Sequence, residues 1–315
     1  DCILSGISLD KIDNYQSIWR VHPEANDKTT KFTAGSTDGR TAVRLIDRDQ
    51  KEGIGVRRRF EVVPGKRYRL KVYYKGGGFS LYLNFHDREN NLIEKEYFKV
   101  MSKREKLKKL DTGLYCITSE EHSKGRSNIE VVERMIKAGV KVLQYREKDK
   151  KLSEKYYECL KIREMTEKAG VTFIVNDNVD IAMLVKADGV HIGQDDIPVE
   201  KVRKLVGEEM IIGLSTHSPE QAEEAVRRGA DYIGVGPLYK TYTKKDVCEP
   251  VGLGYLDYVV KNIKIPFVAI GGIKEHNMGE VLSHGAGCIA MVTEIVGADD
   301  IEEKIARIKS KFREG

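Results

Sequence analysis

Hydrophobic and polar positions follow two different patterns along the chain, and the change falls near residue 100. Before it the two kinds of residue alternate with a period of two, so that Tyr68, Leu70, Val72 and Tyr74 share one face of "RYRLKVYYK". This period is typical of half-buried antiparallel strands, and the segments "PGK" and "GGG" have the composition of turns. We therefore predict an all-β, sandwich-like domain over residues 1–100.

From residue 111 to 315 near-continuous apolar runs alternate with segments that have apolar residues at helical spacing, after a charged segment, 101–110, predicted to be a linker. One helical segment opens on Ser218, a capping residue, with Pro219 behind it. The eight apolar runs are "LYCIT" from Leu114, "VLQYRE" from Val142, "TFIVND" from Thr172, "GVHIG" from Gly189, "MIIGLST" from Met210, "YIGVGP" from Tyr232, "PFVAIGG" from Pro266 and "CIAMVTE" from Cys288.

Eight such units in about 200 residues predict an α/β fold, a closed (β/α)8 TIM barrel with a parallel sheet covered on its outer face. An open, doubly wound sheet is the alternative. No glycine-rich dinucleotide-binding turn follows the first apolar run, however, and this favours the barrel.

Composition and charge exclude several classes of function. The 315 residues include 54 Lys and Arg against 49 Asp and Glu, and the small excess forms no basic stripe, which argues against nucleic acid. No apolar run reaches the roughly 20 residues that span a bilayer, so no membrane partner is expected. The five cysteines lack metal-ligand spacing and predict reduced thiols in a cytoplasmic protein.

A barrel of this kind places its chemistry at the C-terminal ends of the strands, named here the carboxyl rim. Polar or small residues end nearly every predicted strand there: Gln144, Arg146 and Lys148; Asn176 and Asp177; Asp195 and Asp196; Ser215; Thr241, Thr243 and Lys244; Gly271 and Gly272; Val292 and Thr293. The cations suit a highly charged anion, and aspartates on neighbouring strands suit Mg²⁺. Backbone N–H groups of the last two turns suit a second, simpler phosphate. Two phosphorylated ligands imply a transfer reaction in which one loses diphosphate.

Seven of these segments carry a family resemblance. In chain order "QYREK", "NDNVDIA", "GVHIGQDD", "GLSTH", "GPLYKTYTKKD", "VAIGGI" and "IAMVTEI" resemble the motifs of the thiamine phosphate synthase family, over residues 110–315. The resemblance implies a Mg²⁺-dependent transferase of thiamine biosynthesis. Such an enzyme joins 4-amino-5-hydroxymethyl-2-methylpyrimidine diphosphate to the carboxylated or plain hydroxyethylthiazole phosphate and releases diphosphate.

The resemblance also implies roles for single residues. It assigns the pyrimidine diphosphate to Gln144, Tyr145, Arg146, Glu147, Lys148, Asn176, Ser215 and Lys244, and the thiazole phosphate to Thr241, Thr243, Gly271, Gly272, Val292 and Thr293. Arg146, Lys148, Ser215 and Lys244 would be catalytic through the departing diphosphate. Asp177 and Asp196 would bind Mg²⁺, and the choice of Asp196 over Asp195 rests on the family pattern. Lys245 is expected to be solvated.

Other residues have structural interpretations. His191 is expected to be a packed strand histidine, while Asp188 and Asp231, each before an apolar run, are expected at the opposite end of the barrel, where they serve stability. Tyr239 stands where the family usually has Phe, and Ser119 where it usually has an acidic residue.

Two other functions compete with the synthase. A thiazole tautomerase of the same fold lacks the diphosphate-binding set, so Arg146, Lys148 and Lys244 argue for the synthase. A carbohydrate-binding protein is the other alternative, because the front region resembles part of a jelly-roll carbohydrate-binding module with Trp19, Tyr73 and Tyr82 as sugar platforms; the same aromatics also suit ordinary sheet covering. Met101 is a natural start for a free-standing synthase, so the front region is expected to be an addition, either a natural multidomain fusion or an engineered partner. The family resemblance suggests a homodimer.

Overall fold

The computed structural model describes residues 101–312 except Thr112 and residues 244–247, together with the backbone of eight strands in the first hundred residues. The chain divides into two compact units, Asp1–Ser102 and Lys103–Gly315. Every helix among the described residues is too short or too polar to span a bilayer.

The described strands of the first unit pair in antiparallel fashion. One sheet has the order β3, β4, β1, β6, while β7 pairs with β8 and β2 with β5. Side chains of residues 1–100 lie outside the described residues, and so do the predicted sugar platforms Trp19, Tyr73 and Tyr82. The sandwich-like arrangement therefore stays a prediction. The strands are β1 (Cys2–Leu9), β2 (Arg20–Val21), β3 (Thr30–Thr37), β4 (Arg40–Asp47), β5 (Val56–Arg57), β6 (Leu70–Lys75), β7 (Phe79–His86) and β8 (Leu92–Val100).

The second unit contains a closed barrel of eight parallel strands in chain order, which confirms the predicted barrel and excludes the open sheet. Each strand pairs with the next, and the last pairs with the first through registers such as Cys288 with Gly113. The strands are β9 (Gly113–Ile117), β10 (Val142–Tyr145), β11 (Thr172–Asn176), β12 (Gly189–Ile192), β13 (Ile211–Thr216), β14 (Tyr232–Val235), β15 (Phe267–Ala269) and β16 (Cys288–Met291).

Helices connect the barrel strands on the outside. Local capping fixes several of their starts; the predicted cap Ser218, for example, accepts from the N–H of Gln221 at 3.3 Å. The helices are α1 (Lys103–Lys108), α2 (Asn128–Lys137), α3 (Leu152–Ala169), α4 (Val179–Leu184), α5 (Val199–Val206), α6 (Pro219–Arg227), α7 (Gly252–Asn262), α8 (Met278–Ser283), α9 (Thr293–Val296) and α10 (Ile301–Lys311).

Strand side chains alternate between two apolar clusters. In β10, Leu143 and Tyr145 belong to the large cluster between the strands and the helices, whereas Val142 belongs to a small cluster inside the barrel. Members of the inner cluster are Leu110, Tyr115, Ile117, Val142, Ile174, Ile211, Tyr232, Val268, Cys288 and Ala290. This alternation turns Gln144, between Leu143 and Tyr145, toward the barrel interior.

Two aspartates brace the end of the barrel opposite the carboxyl rim, as predicted. The Asp188 carboxylate accepts from the N–H of Phe173 at 2.8 Å and pairs with Arg163 at 3.1 Å and Lys106 at 2.7 Å. Asp231 in the same way pairs with Lys103 of α1 at 2.7 Å. The segment 101–110, predicted as a linker, thus contains a helix whose lysines bind this end of the barrel.

Replacing Asp188 with Ala should lower the free energy of unfolding by about 3 kcal/mol, because a nearly buried carboxylate that neutralises two cations is removed. Its side chain is only 4% exposed. Urea denaturation measures the change. Glu130→Ala is the control, since its pair with Arg134 is exposed and should contribute about 0.5 kcal/mol or less. Equal losses in the two variants would contradict the bracing role of Asp188.

Candidate active site

A chain of hydrogen bonds crosses the inside of the barrel just below the carboxyl rim. Gln144 Nε2 donates to Tyr115 Oη at 2.9 Å, and Tyr115 Oη lies 3.0 Å from Tyr232 Oη. Tyr232 Oη lies 2.9 Å from His191 Nδ1, and His191 Nε2 lies 2.9 Å from Ser215 Oγ. These five side chains, named here the interior network, connect two predicted site residues, Gln144 and Ser215.

The interior network depends on a glycine. A Cβ atom at Gly213 would lie 2.2 Å from Tyr232 Cζ and 2.5 Å from His191 Nδ1, so any side chain there would occupy the place where these two groups meet. Burial also raises the pKa of the Tyr115 and Tyr232 hydroxyls above their ordinary value, which keeps both neutral. Tyr115 and Tyr232 therefore contribute fixed, neutral hydroxyls to the network.

His191 is a strand residue whose ring packs against Tyr232, as expected, with 5.3 Å between the ring centroids. Both of its nitrogens also lie at hydrogen-bond distance from side-chain hydroxyls, which the sequence interpretation did not include. Tyr115 and Tyr232 were not among the predicted site residues. The sequence does mark them in one way. Each tyrosine places a hydroxyl at a strand position whose side chain faces the barrel interior, where an apolar residue is usual.

Two predicted cations and a predicted metal ligand meet at the ends of β10 and β11. Lys148 Nζ forms an ion pair with the Asp177 carboxylate. Burial lowers the pKa of the Arg146 guanidinium, an effect that the nearby Asp177 carboxylate opposes. Asp177 has a left-handed backbone with φ of 59°, which is uncommon for a residue other than glycine and frequent at functional sites. Its N–H donates to the His191 carbonyl at 2.8 Å, which ties this turn to β12.

The second predicted metal ligand, Asp196, lies in the loop after β12. It is exposed, and its Oδ2 accepts from the Gly193 N–H at 2.7 Å. No group of three or more His, Cys, Asp or Glu side chains in the described part of the chain is arranged to hold a metal. A carboxylate after β11 and another in the loop after β12 nevertheless fit Mg²⁺, which uses one or two protein carboxylates and takes its other oxygens from water and substrate phosphate.

Tyr145 and Glu147 have side chains that are engaged away from Arg146 and Lys148. Tyr145 Oη donates to Glu158 of α3 at 2.6 Å, and Glu147 Oε1 accepts from the Glu120 N–H at 2.9 Å. Lys150, which the sequence did not single out, forms ion pairs with both Glu120 and Glu158. These contacts brace the loop that carries Arg146 and Lys148.

The turn after β15 packs closely on the loop after β14. Gly271 and Gly272 have φ of 97° and 65°, and Cβ atoms there would lie 2.3 Å from Pro237 Cα and 2.6 Å from the Lys240 carbonyl. Only glycine meets both conditions. In the loop after β14, Thr241 Oγ1 lies 3.3 Å from Thr243 Oγ1.

The end of β16 completes this side of the rim. Val292 is partly buried against the inner cluster, and Thr293 Oγ1 accepts from Lys274 Nζ at 2.7 Å. Asn176 is the last residue of β11, where its register partner is His191. Lys244 lies outside the described residues.

Comparisons with known proteins concern the barrel. A family model described as thiamine monophosphate synthase matches residues 114–295. A protein of Pelotomaculum thermopropionicum named thiamine-phosphate synthase is 67% identical over 201 residues, which are 64% of this chain and 92% of that protein. One of the same name from Lawsonia intracellularis is 58% identical over 200 residues, again 64% and 92%. A solved thiamine phosphate pyrophosphorylase from Pyrococcus furiosus aligns with a TM-score of 0.60 at 33% identity, covering 65% of this chain and 98% of that one.

Tyr232→Phe should cost about 1 to 3 kcal/mol of unfolding free energy, because the hydroxyl joining Tyr115 to His191 is lost inside the barrel and its partners lose their bonds. Chemical denaturation of the purified variant measures this. Tyr258→Phe is the matched control, since that hydroxyl donates to Glu223 at the surface and should change stability by about 0.5 kcal/mol or less. An unchanged Tyr232→Phe protein would show that the interior network contributes nothing to stability.

Proposed function

Because the chain belongs to the thiamine monophosphate synthase family and is a transferase of thiamine biosynthesis, we propose how its carboxyl rim performs the transfer. The rim joins the pyrimidine of 4-amino-5-hydroxymethyl-2-methylpyrimidine diphosphate to hydroxyethylthiazole phosphate and releases diphosphate. The observation that carries this proposal is the meeting of Arg146, Lys148 and Asp177 at the ends of β10 and β11. A site with this charge pattern suits a diphosphate leaving group.

The diphosphate is bound by Arg146, Lys148, Ser215 and Lys244. Two of these already have defined partners: Lys148 pairs with Asp177, and Ser215 Oγ is held by His191. Cations and hydroxyls held at the rim stabilise the negative charge that develops on the leaving group. The pyrimidine ring itself then faces Gln144 and the neutral hydroxyls of the interior network.

Asp177 and Asp196 are the residues that would hold Mg²⁺. A bound Mg²⁺ would neutralise charge on the departing diphosphate oxygens. The Asp177 carboxylate is balanced by Lys148, whose side chain is 48% exposed. That exposure leaves the ammonium able to turn from the carboxylate toward a phosphate oxygen.

The second substrate lies on the opposite side of the rim. Hydroxyls of Thr241, Thr243 and Thr293 and the backbone at Gly271, Gly272 and Val292 supply uncharged donors to the thiazole phosphate. Gly271 and Gly272 pack on Pro237 and Lys240, so their turn lies against the loop after β14, which also carries Thr241 and Thr243.

The reaction needs positioning more than proton transfer. The electron-rich aminopyrimidine stabilises positive charge at its methylene carbon, so the C–O bond breaks first and its electron pair leaves with diphosphate. The thiazole nitrogen then donates its lone pair to form the C–N bond. No general base is required, and catalysis comes from stabilising the leaving group and aligning the nucleophile.

Finer predictions complete the proposal. They are a cytoplasmic location, a homodimer, a multidomain fusion, carbohydrate binding by residues 1–100, and domain boundaries at 1–100, 101–110 and 111–315. The thiazole phosphate substrate is either the carboxylated or the plain compound.

Incubating the chain with both organic substrates and Mg²⁺ tests the proposed reaction. We expect diphosphate release that requires the pyrimidine diphosphate and the thiazole phosphate together, with formation of thiamine phosphate. Release from the pyrimidine diphosphate alone would indicate a hydrolase. No release would favour the tautomerase or an inactive protein.

Lys244→Ala should lower kcat about 100-fold, because loss of a preorganised partner of the leaving group costs on the order of 3 kcal/mol of barrier. Steady-state kinetics at saturating concentrations of both substrates measure it. The neighbouring Lys245→Ala is the matched control and should retain its turnover, since Lys245 is expected to be solvated. Undiminished turnover in Lys244→Ala would remove Lys244 from the mechanism.

A further inference from the structure

Lys274, a cation at the carboxyl rim, is not among the residues proposed above to bind either substrate. Lys274 follows the turn of Gly271 and Gly272, and its Nζ donates to Thr293 Oγ1 at 2.7 Å. Its side chain is 35% exposed, so the ammonium is partly open to solvent. The ammonium is thus in contact with a residue assigned to the thiazole phosphate, although the sequence pattern did not identify it.

The backbone of Lys274 is anchored to the glycine turn. Its N–H donates to Asn277 Oδ1 at 2.6 Å, and Asn277 Nδ2 donates to the Gly272 carbonyl at 3.1 Å. Asn277 therefore connects the backbone of Lys274 to that of Gly272 and fixes their relative position. The lysine side chain spans from this turn to the end of β16, which places its ammonium between two parts of the proposed phosphate site.

Neighbouring charges leave Lys274 available to a ligand. Its nearest carboxylate, Glu294, lies 3.5 Å from Nζ. Glu294 is closer to Lys304, at 3.0 Å, and Lys304 also pairs with Glu275 at 2.8 Å. Glu294 is thus already paired with a cation on α10, and it neutralises Lys274 only in part.

The hydrogen bond between Lys274 and Thr293 also prepares a donor. Because Thr293 Oγ1 accepts from the ammonium, the hydroxyl's own hydrogen remains to be donated to a further acceptor. An ammonium has three N–H donors, of which this contact uses one. A lysine and a hydroxyl joined in this way present several donors to one anion.

A phosphate monoester carries close to two negative charges at neutral pH. The groups assigned to the thiazole phosphate are hydroxyls and backbone N–H groups, all of them uncharged. Transfer of a dianion from water to such a site is costly without an opposite charge nearby. A cation in contact with Thr293 supplies that charge.

We propose that Lys274 binds the phosphate group of the thiazole substrate and sets the affinity of the chain for it. This inference rests on the proposed function and adds to it a charged residue of the second substrate's site. The ammonium donates to a phosphate oxygen while it continues to orient the Thr293 hydroxyl toward the same group.

Lys274→Met should raise KM for the thiazole phosphate about 10- to 100-fold, the loss typical of a hydrogen bond to a charged group. KM for the pyrimidine diphosphate and kcat at saturation should change little. Inorganic phosphate should compete with the thiazole phosphate, and the variant should weaken that inhibition by a similar factor. A change confined to packing would not alter phosphate inhibition in this way.

Two further variants separate charge from shape. Lys274→Gln keeps a donor for Thr293 but lacks the charge, and it should resemble Lys274→Met; Lys274→Arg keeps the charge and should recover part of the affinity. If Lys274→Met does not fold, the glutamine and arginine variants decide the test. The matched control is Lys264→Met, an exposed lysine in the loop before β15 at the opposite end of the barrel, which should leave both KM values unchanged.

Three results would overturn the inference while the wild-type chain makes thiamine phosphate. They are an unchanged KM for the thiazole phosphate in Lys274→Met and Lys274→Gln, an equal rise in both KM values, and a rise confined to the pyrimidine diphosphate. A wild-type chain that makes no product would instead overturn the proposed function and, with it, the inference.

Discussion

The pairing of β16 with β9 is the interaction on which the rest of the barrel depends. It closes the parallel sheet through registers from Cys288 with Gly113 to Met291 with Cys116, and so leaves no unpaired strand edge within the barrel. In the closed parallel barrel all eight strands run in the same direction and end at the carboxyl rim. Every second side chain of a strand then faces a shared interior. The polar residues that end separate strands become neighbours for this reason alone.

The barrel interior consists of the apolar inner cluster and, on the side of the carboxyl rim, the hydrogen-bonded interior network. The candidate site lies above this network. Ile174, Ile211 and Val268 belong to the apolar inner cluster, to which the two tyrosine rings also contribute. Their hydroxyls lie on the side of the rim, where they bond to each other, to Gln144 and to His191. A buried hydroxyl is costly unless it is bonded, so the network stabilises the barrel only when it is complete. A complete network also gives Ser215 a defined orientation.

The period of the apolar positions predicted the barrel, and the residues at strand ends predicted most of the rim, because both are local properties of the chain. The family resemblance assigned Tyr145 and Glu147 to the substrate, and in the structure their side chains contact α3 and the turn after β9. The sequence pattern did not single out Tyr115 and Tyr232, whose hydroxyls meet from 117 positions apart. Lys274 lies in a turn, where the sequence has no helix or strand periodicity from which its direction could be predicted. Its contact with Thr293 arises only in the folded barrel. Such contacts depend on the three-dimensional register, which no local pattern contains.

Lys148 and Lys274 are both stabilised by polar partners at the rim before any substrate binds. A site for phosphorylated substrates must hold positive charge before the substrate arrives, yet unpaired charge in a partly buried site is unfavourable. Lys148 meets this condition through Asp177, and Lys274 through the Thr293 hydroxyl and a carboxylate shared with Lys304. Both ammonium groups remain partly exposed, at 48% and 35%. Solvent therefore screens their present contacts, and a phosphate with greater charge than one carboxylate can compete for them.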